Sequence, residues 1–136
     1  MKRLLACVAA AAFMSTPALA DEMWEMEGEG TVFYKDDVGE LAIFELDVPD
    51  STVRFYFPEL AGMLDDRGTH QGFWIDSDEG PCDSSMTGPD GLASNNWGRM
   101  ILTFDKTTFP SSWTALVGQC FDQPDFGLRA ETTAGQ

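Results

Sequence analysis

The sequence predicts an all-β domain, a small antiparallel β-sandwich or barrel with one long disulfide-tethered loop. Three observations carry this. Period-two alternation of aromatic and β-branched residues recurs along the chain. No helix-period stripe of useful length, heptad or internal repeat competes with it. Cys82, near the start of a polar stretch from Asp76 to Gly98, and Cys120 beyond it form an even pair after the N-terminal segment.

The 136-residue chain opens with MKRLLACVAAAAFMSTPALA. Lys2 and Arg3, an apolar run from Leu4 to Met14, and Ala18-Leu19-Ala20 give the three-part layout of a secretory signal peptide. Cleavage after Ala20 makes 1–20 the signal peptide and 21–136 a single exported β domain, long enough to bury one modest core. The product is expected in the periplasm or outside the cell. Cys7 leaves with the leader, so an oxidising compartment pairs Cys82 with Cys120.

Strands are expected at Met23–Tyr34, Glu40–Val48, Val53–Phe57, Gly72–Asp76, Arg99–Asp105 and Trp113–Phe121, with a weaker one at Phe126–Ala130. Pro58–Leu64 is the one stretch that suggests a helical turn, since proline suits the first helical position and Gly62 keeps it short. With Lys35–Gly39 as the first loop and Pro49–Thr52 as the second, one sheet face carries Trp24, Met26, Val32, Tyr34, Ala42, Phe44, Leu46, Val48, Val53, Phe55 and Phe57. That is a core face, with Gly28 and Gly30 marking a bulge or bend.

On the opposite face this register gathers Glu25, Glu27, Glu29, Glu45 and Asp47, with Glu29 facing Glu45, Glu27 facing Asp47, and Arg54 beside Asp47. Like charges placed opposite one another destabilise a sheet. The face is therefore either a place for a cation or basic partner, or a solvated surface that water, salt and Arg54 hold together.

The formal charge of −15 becomes −17 once Lys2 and Arg3 leave. Nucleic acid and anionic membranes are poor partners for such a chain, whereas cationic proteins are attracted to it. No segment of the mature chain is long and apolar enough to insert in a membrane as a helix.

Catalytic signatures are missing. His70 is the only histidine, no G-x-S-x-G elbow occurs, and Ser84 and Ser85 sit in the polar loop without a marked base. Asp76-Ser77-Asp78-Glu79-Gly80 alternates aspartates as a calcium loop does, but its later aspartate and glycine fall out of step and Thr87 stands where the closing glutamate belongs. No catalytic residue, metal ligand or cofactor is therefore assigned.

The binding candidates centre on Thr69–Asp76. Alternation puts Phe73 and Ile75 on the core side and leaves His70, Trp74 and Asp76 on the other, with Trp97 and Arg99 returning to the same neighbourhood after the long loop. Tryptophan and arginine are enriched in hot spots, and an aromatic ring beside carboxylates suits sugars. The resulting expectation is an exported non-enzymatic binding domain for a protein, peptide or glycan partner. The alternatives are a small secreted hydrolase and a divalent-cation-binding envelope protein. In size, leader and cysteine use the chain is similar to the periplasmic lysozyme-inhibitor class, which implies inhibition of an envelope-attacking enzyme, although an S-G-x-R-Y element of one such family is absent.

Overall fold

Eight of the strands close on one another, so among the described residues no long sheet edge of the kind that invites aggregation is left unpaired. The computed structural model describes residues 22–63 and 65–133; the segment expected to be a signal peptide lies outside them. Strands β1 (Met23–Met26), β2 (Gly30–Val38), β3 (Leu41–Leu46), β4 (Val53–Phe57), β5 (Thr69–Asp76), β8 (Trp97–Phe104), β9 (Trp113–Val117) and β10 (Phe126–Thr132) run as an antiparallel meander in which β10 pairs back onto β1. Between β5 and β8 an inserted hairpin, β6 (Met86–Thr87) with β7 (Ala93–Ser94), forms a separate two-stranded sheet. The all-β expectation is met as a barrel. Among the described residues no helix is long and apolar enough to cross a membrane.

Several expected boundaries are corrected. Met23–Tyr34 is two strands joined by a turn at Glu27–Glu29, because Gly28 (φ 79°) and Gly30 (φ 130°) adopt left-handed backbone that reverses the chain instead of merely bending it. The expected loop at Lys35–Gly39 is mostly strand: β2 continues past a bulge between Tyr34 and Asp36 and turns only at Gly39-Glu40. The Trp113 strand ends at Val117, where a turn through Cys120 (φ 57°) begins. Pro58–Met63 is not helical, since Glu59 (φ 69°) and Gly62 (φ 73°) form successive turns that drop Leu60 into the barrel end.

The register also moves. Glu45 lies opposite Phe33 and Arg54, so neither the Glu29–Glu45 nor the Glu27–Asp47 pairing exists. Tyr34 pairs with Phe44, four residues beyond the expected Glu40, and Arg54 is displaced by two from Asp47. Both shifts are even, so every inward residue stays inward.

The lower barrel is packed with rings. Trp24 stands 4.8 Å from Phe44 and 5.8 Å from Trp113, and Phe44 stands 5.2 Å from Phe57. Trp24 Nε1 donates to the Ser111 carbonyl at 2.8 Å, while Trp113 Nε1 is buried without a partner. This end is plugged by Leu60 and by Arg67, whose guanidinium donates to both Glu22 carboxylate oxygens at 2.7 and 2.8 Å with both side chains buried. The Arg67 guanidinium also lies over the Phe104 ring at 4.7 Å.

A second apolar cluster sits outside the barrel wall. Ile43, Tyr56, Ile75 and Trp97 point outward from β3, β4, β5 and β8, and Cys82, Met86 and Leu92 of the β5–β8 connection cover them. Phe73 and Ile75 are thus packed as expected, but against this cover and not in the barrel core. The connection expected to be a recognition loop is largely a lid over this second core.

Candidate functional site

The end opposite the Arg67 plug is open. An eight-stranded barrel is just wide enough to be filled by side chains or to hold one small ligand. In this chain Trp24, Phe44, Phe57 and Trp113 fill the lower part, while the upper part is left hollow. Met26, Leu46, Val53, Phe55, Val117 and Leu128 surround a cavity of about 220 Å3, with Trp74, Phe126, Glu29 and Asp76 at its opening. Across the shared wall of Trp74, Val117 and Phe126 lies a wider depression of about 480 Å3, bounded by Gly118, Gln119, Asp122, Gln123 and Asp125.

Trp74 is held by an absence. It faces Gly98 across the β5–β8 ladder, and a Cβ at Gly98 would overlap both Trp74 Nε1 and the Gly118 carbonyl. Because Gly98 has none, the indole lies over it and donates to the Gly118 carbonyl at 2.9 Å. That bond fixes the ring and joins β5 to the turn after β9.

This turn, residues 118–125, is braced from several directions. Cys120 is bonded to Cys82, with Cα atoms 5.5 Å apart, and its backbone N–H donates to the Trp97 carbonyl at 2.7 Å. Arg99, on the outer face, donates to the carbonyls of Phe121 and Asp122 at 2.7 and 3.0 Å. Gln119 Nε2 reaches Asn96 Oδ1 at 3.1 Å. A wall fixed in this way loses little conformational entropy when a ligand meets it.

The structure separates the five sequence candidates for binding. Trp74 and Asp76 line the open end, and Asp76 Oδ1 accepts from the Asp78 N–H at 2.9 Å. Arg99 supports the wall from behind. Trp97 is 2% exposed beneath the cover, its Nε1 donating to the Ser84 carbonyl at 2.9 Å, so it packs the second core and cannot anchor a surface partner. His70 points into the barrel near the closed end, six residues and about 20 Å along β5 from Asp76 at ~3.3 Å per residue. Its Nε2 accepts from the Gly68 N–H at 3.3 Å, and burial, followed by the nearby Arg67 charge, lowers its pKa. A side chain so occupied lacks the free acceptor that a general base uses.

The acidic face is likewise divided. Glu45 is paired with Arg54 at 2.8 Å, and Arg54 reaches on to Asp90 at 2.8 Å. Glu25 accepts from Thr31 at 2.7 Å. Glu27, Glu29 and Asp47 belong to connections at the open end. Among the described residues no group of three or more His, Cys, Asp or Glu side chains has a geometry that could hold a metal ion.

Sequence reasoning missed Val117, Phe126 and Leu128, which help line the cavity, and Phe121 in the neighbouring turn. Phe126 is 60% exposed and Phe121 76%, the latter edge-on to Trp97 at 4.9 Å. The available signal was two phenylalanines separated by a polar turn next to a cysteine, a pattern that also fits an ordinary strand end. Compared with known proteins, the chain matches no family model, no curated protein and no solved structure.

Proposed function

We propose that this protein is an exported, non-enzymatic binding domain whose open barrel end receives its partner, a protein, peptide or glycan. The observation that carries this is the difference between the two ends: one is sealed by Leu60 and a buried Arg67–Glu22 pair, while the other is an apolar cavity ringed by Trp74, Phe126 and carboxylates. A concave apolar site with a few convergent polar groups is the usual form of a binding pocket. The disulfide fits an oxidising compartment and with it export to the periplasm or beyond. A small hydrolase is less well supported, because the one histidine is committed at the closed end. A divalent-cation role is weakened by the pairing of Glu45 with Arg54.

The test is capture from an envelope extract with the oxidised protein, run beside Phe126→Ser at the open end and Val38→Ser at the closed end. Both positions are substantially exposed, so neither change should unfold the barrel. The reading expects Phe126→Ser to lose the partner and Val38→Ser to keep it. Equal capture by both variants would sink it.

A further inference from the structure

We propose that the open end is a site for an apolar cation, a hydrophobic group that enters the barrel and carries a positively charged nitrogen to the rim. The proposal rests on the reading of this end as the binding site and names the chemistry that it accepts.

Depth and rim differ in kind. The inner wall of Met26, Leu46, Val53, Phe55 and Leu128 offers no charge and suits a hydrocarbon chain or ring. All the ionisable residues lining the two adjacent hollows, Glu29, Asp76, Asp122 and Asp125, are acidic. None takes part in an ion pair among the described residues. An entering cation therefore displaces no internal cation.

The surroundings reinforce this polarity. The four connections at the open end, residues 27–29, 47–52, 77–96 and 118–125, contain ten Asp and Glu residues and no Lys, Arg or His. The connections at the closed end, residues 39–40, 58–68 and 105–112, mix Arg67 and Lys106 with Glu40, Glu59, Asp65, Asp66 and Asp105. Arg99, next to Gly98 on β8, is turned to the back of the wall, where it holds the Phe121 and Asp122 carbonyls. A field of one sign at the mouth of a low-dielectric cleft concentrates ligands of the opposite sign. Trp74 and Phe126 add aromatic rings, to which a cation is attracted, and the Trp74 N–H is already committed to Gly118. An anionic amphiphile finds no positive group here to receive its head.

The same chemistry comes from two sources: a free alkyl or aryl amine, or a lysine or arginine side chain with apolar neighbours on a protein. The experiment titrates the oxidised protein with octylammonium, octanol and octanoate, and with an amphipathic leucine–lysine tetrapeptide and its leucine–glutamate counterpart. Tryptophan emission and the thermal midpoint are followed, since a ligand of the native state raises that midpoint. The expected result is at least tenfold tighter binding of octylammonium than of octanoate, with octanol between. The gap should narrow in high salt and in the double variant Asp76→Asn, Asp125→Asn. A preference seen in the octyl series supports a free amine as sufficient; one seen only in the peptide pair supports a protein side chain as the source. If octanoate or octanol matches octylammonium and the peptides do not differ, the cation assignment is overturned while the cavity remains a binding site. If nothing binds and Phe126→Ser still captures partner, both readings fail.

Discussion

Trp74 and Gly98 face each other across the β5–β8 ladder, and the empty position at 98 is what lets the Trp74 indole reach the Gly118 carbonyl. Strand pairing, turn position and the rim of the cavity are joined at this one contact.

Gly98→Ala should therefore be costly although it adds a single methyl group. The obstacle includes the Gly118 backbone, which cannot rotate away as a side-chain tip could. Destabilisation of about 1–3 kcal/mol is expected, the range for overpacking a fitted site. It should appear as a lower denaturant midpoint, accompanied by altered Trp74 emission.

At the closed end, Arg67→Met should cost about 3–5 kcal/mol, because it strands the buried Glu22 carboxylate without its partner. The double variant Glu22→Leu, Arg67→Met should recover a large part of that loss. Chemical denaturation of the two single variants and the double variant measures the coupling, and additive losses would show that the pair is not the plug described.

Trp97 and Trp74 should behave differently. Trp97→Ala empties a site that is 2% exposed and should cost about 3–5 kcal/mol, as for other buried aromatics. Trp74→Ala, at a half-buried rim, should cost less and reduce ligand binding more. Urea midpoints and binding measured on the same variants separate the two roles.

Cys82→Ser should loosen two structures together, because the crosslink ties the outer cover to the cavity wall. For a separation of 38 residues, chain-entropy reasoning gives about 4 kcal/mol. Faster amide exchange should follow at both Met86–Leu92 and Gly118–Asp122 in a hydrogen-exchange comparison with the wild type.

The inward face was legible in the sequence from Trp24 to Phe57 because alternation reports the side of a sheet on which a residue lies. It does not report the opposite residue. Slips of four residues at Tyr34 and two at Arg54 preserve parity, so the core face survived while the acidic pairings built on the same register did not. Trp97 was misplaced for a related reason: an outward position normally meets water, but here the β5–β8 connection folds back over it. The mouth was hidden because its residues come from strands that lie far apart in sequence, such as Met26, Val53 and Leu128, and meet only when the barrel closes. Trp74 and Asp76 were visible because both lie on one strand with the same parity.

The most direct test of the account is a 1H–15N titration with octanol, the neutral member of the series, which probes the open end independently of charge. Shifts should concentrate on the Trp74 indole, Gly118–Asp125 and Phe126, while Leu60, Arg67 and the Met86–Leu92 cover remain unmoved. Shifts centred on the closed end or on the cover, with the Trp74 indole unchanged, would contradict the claim that the barrel mouth is the binding site.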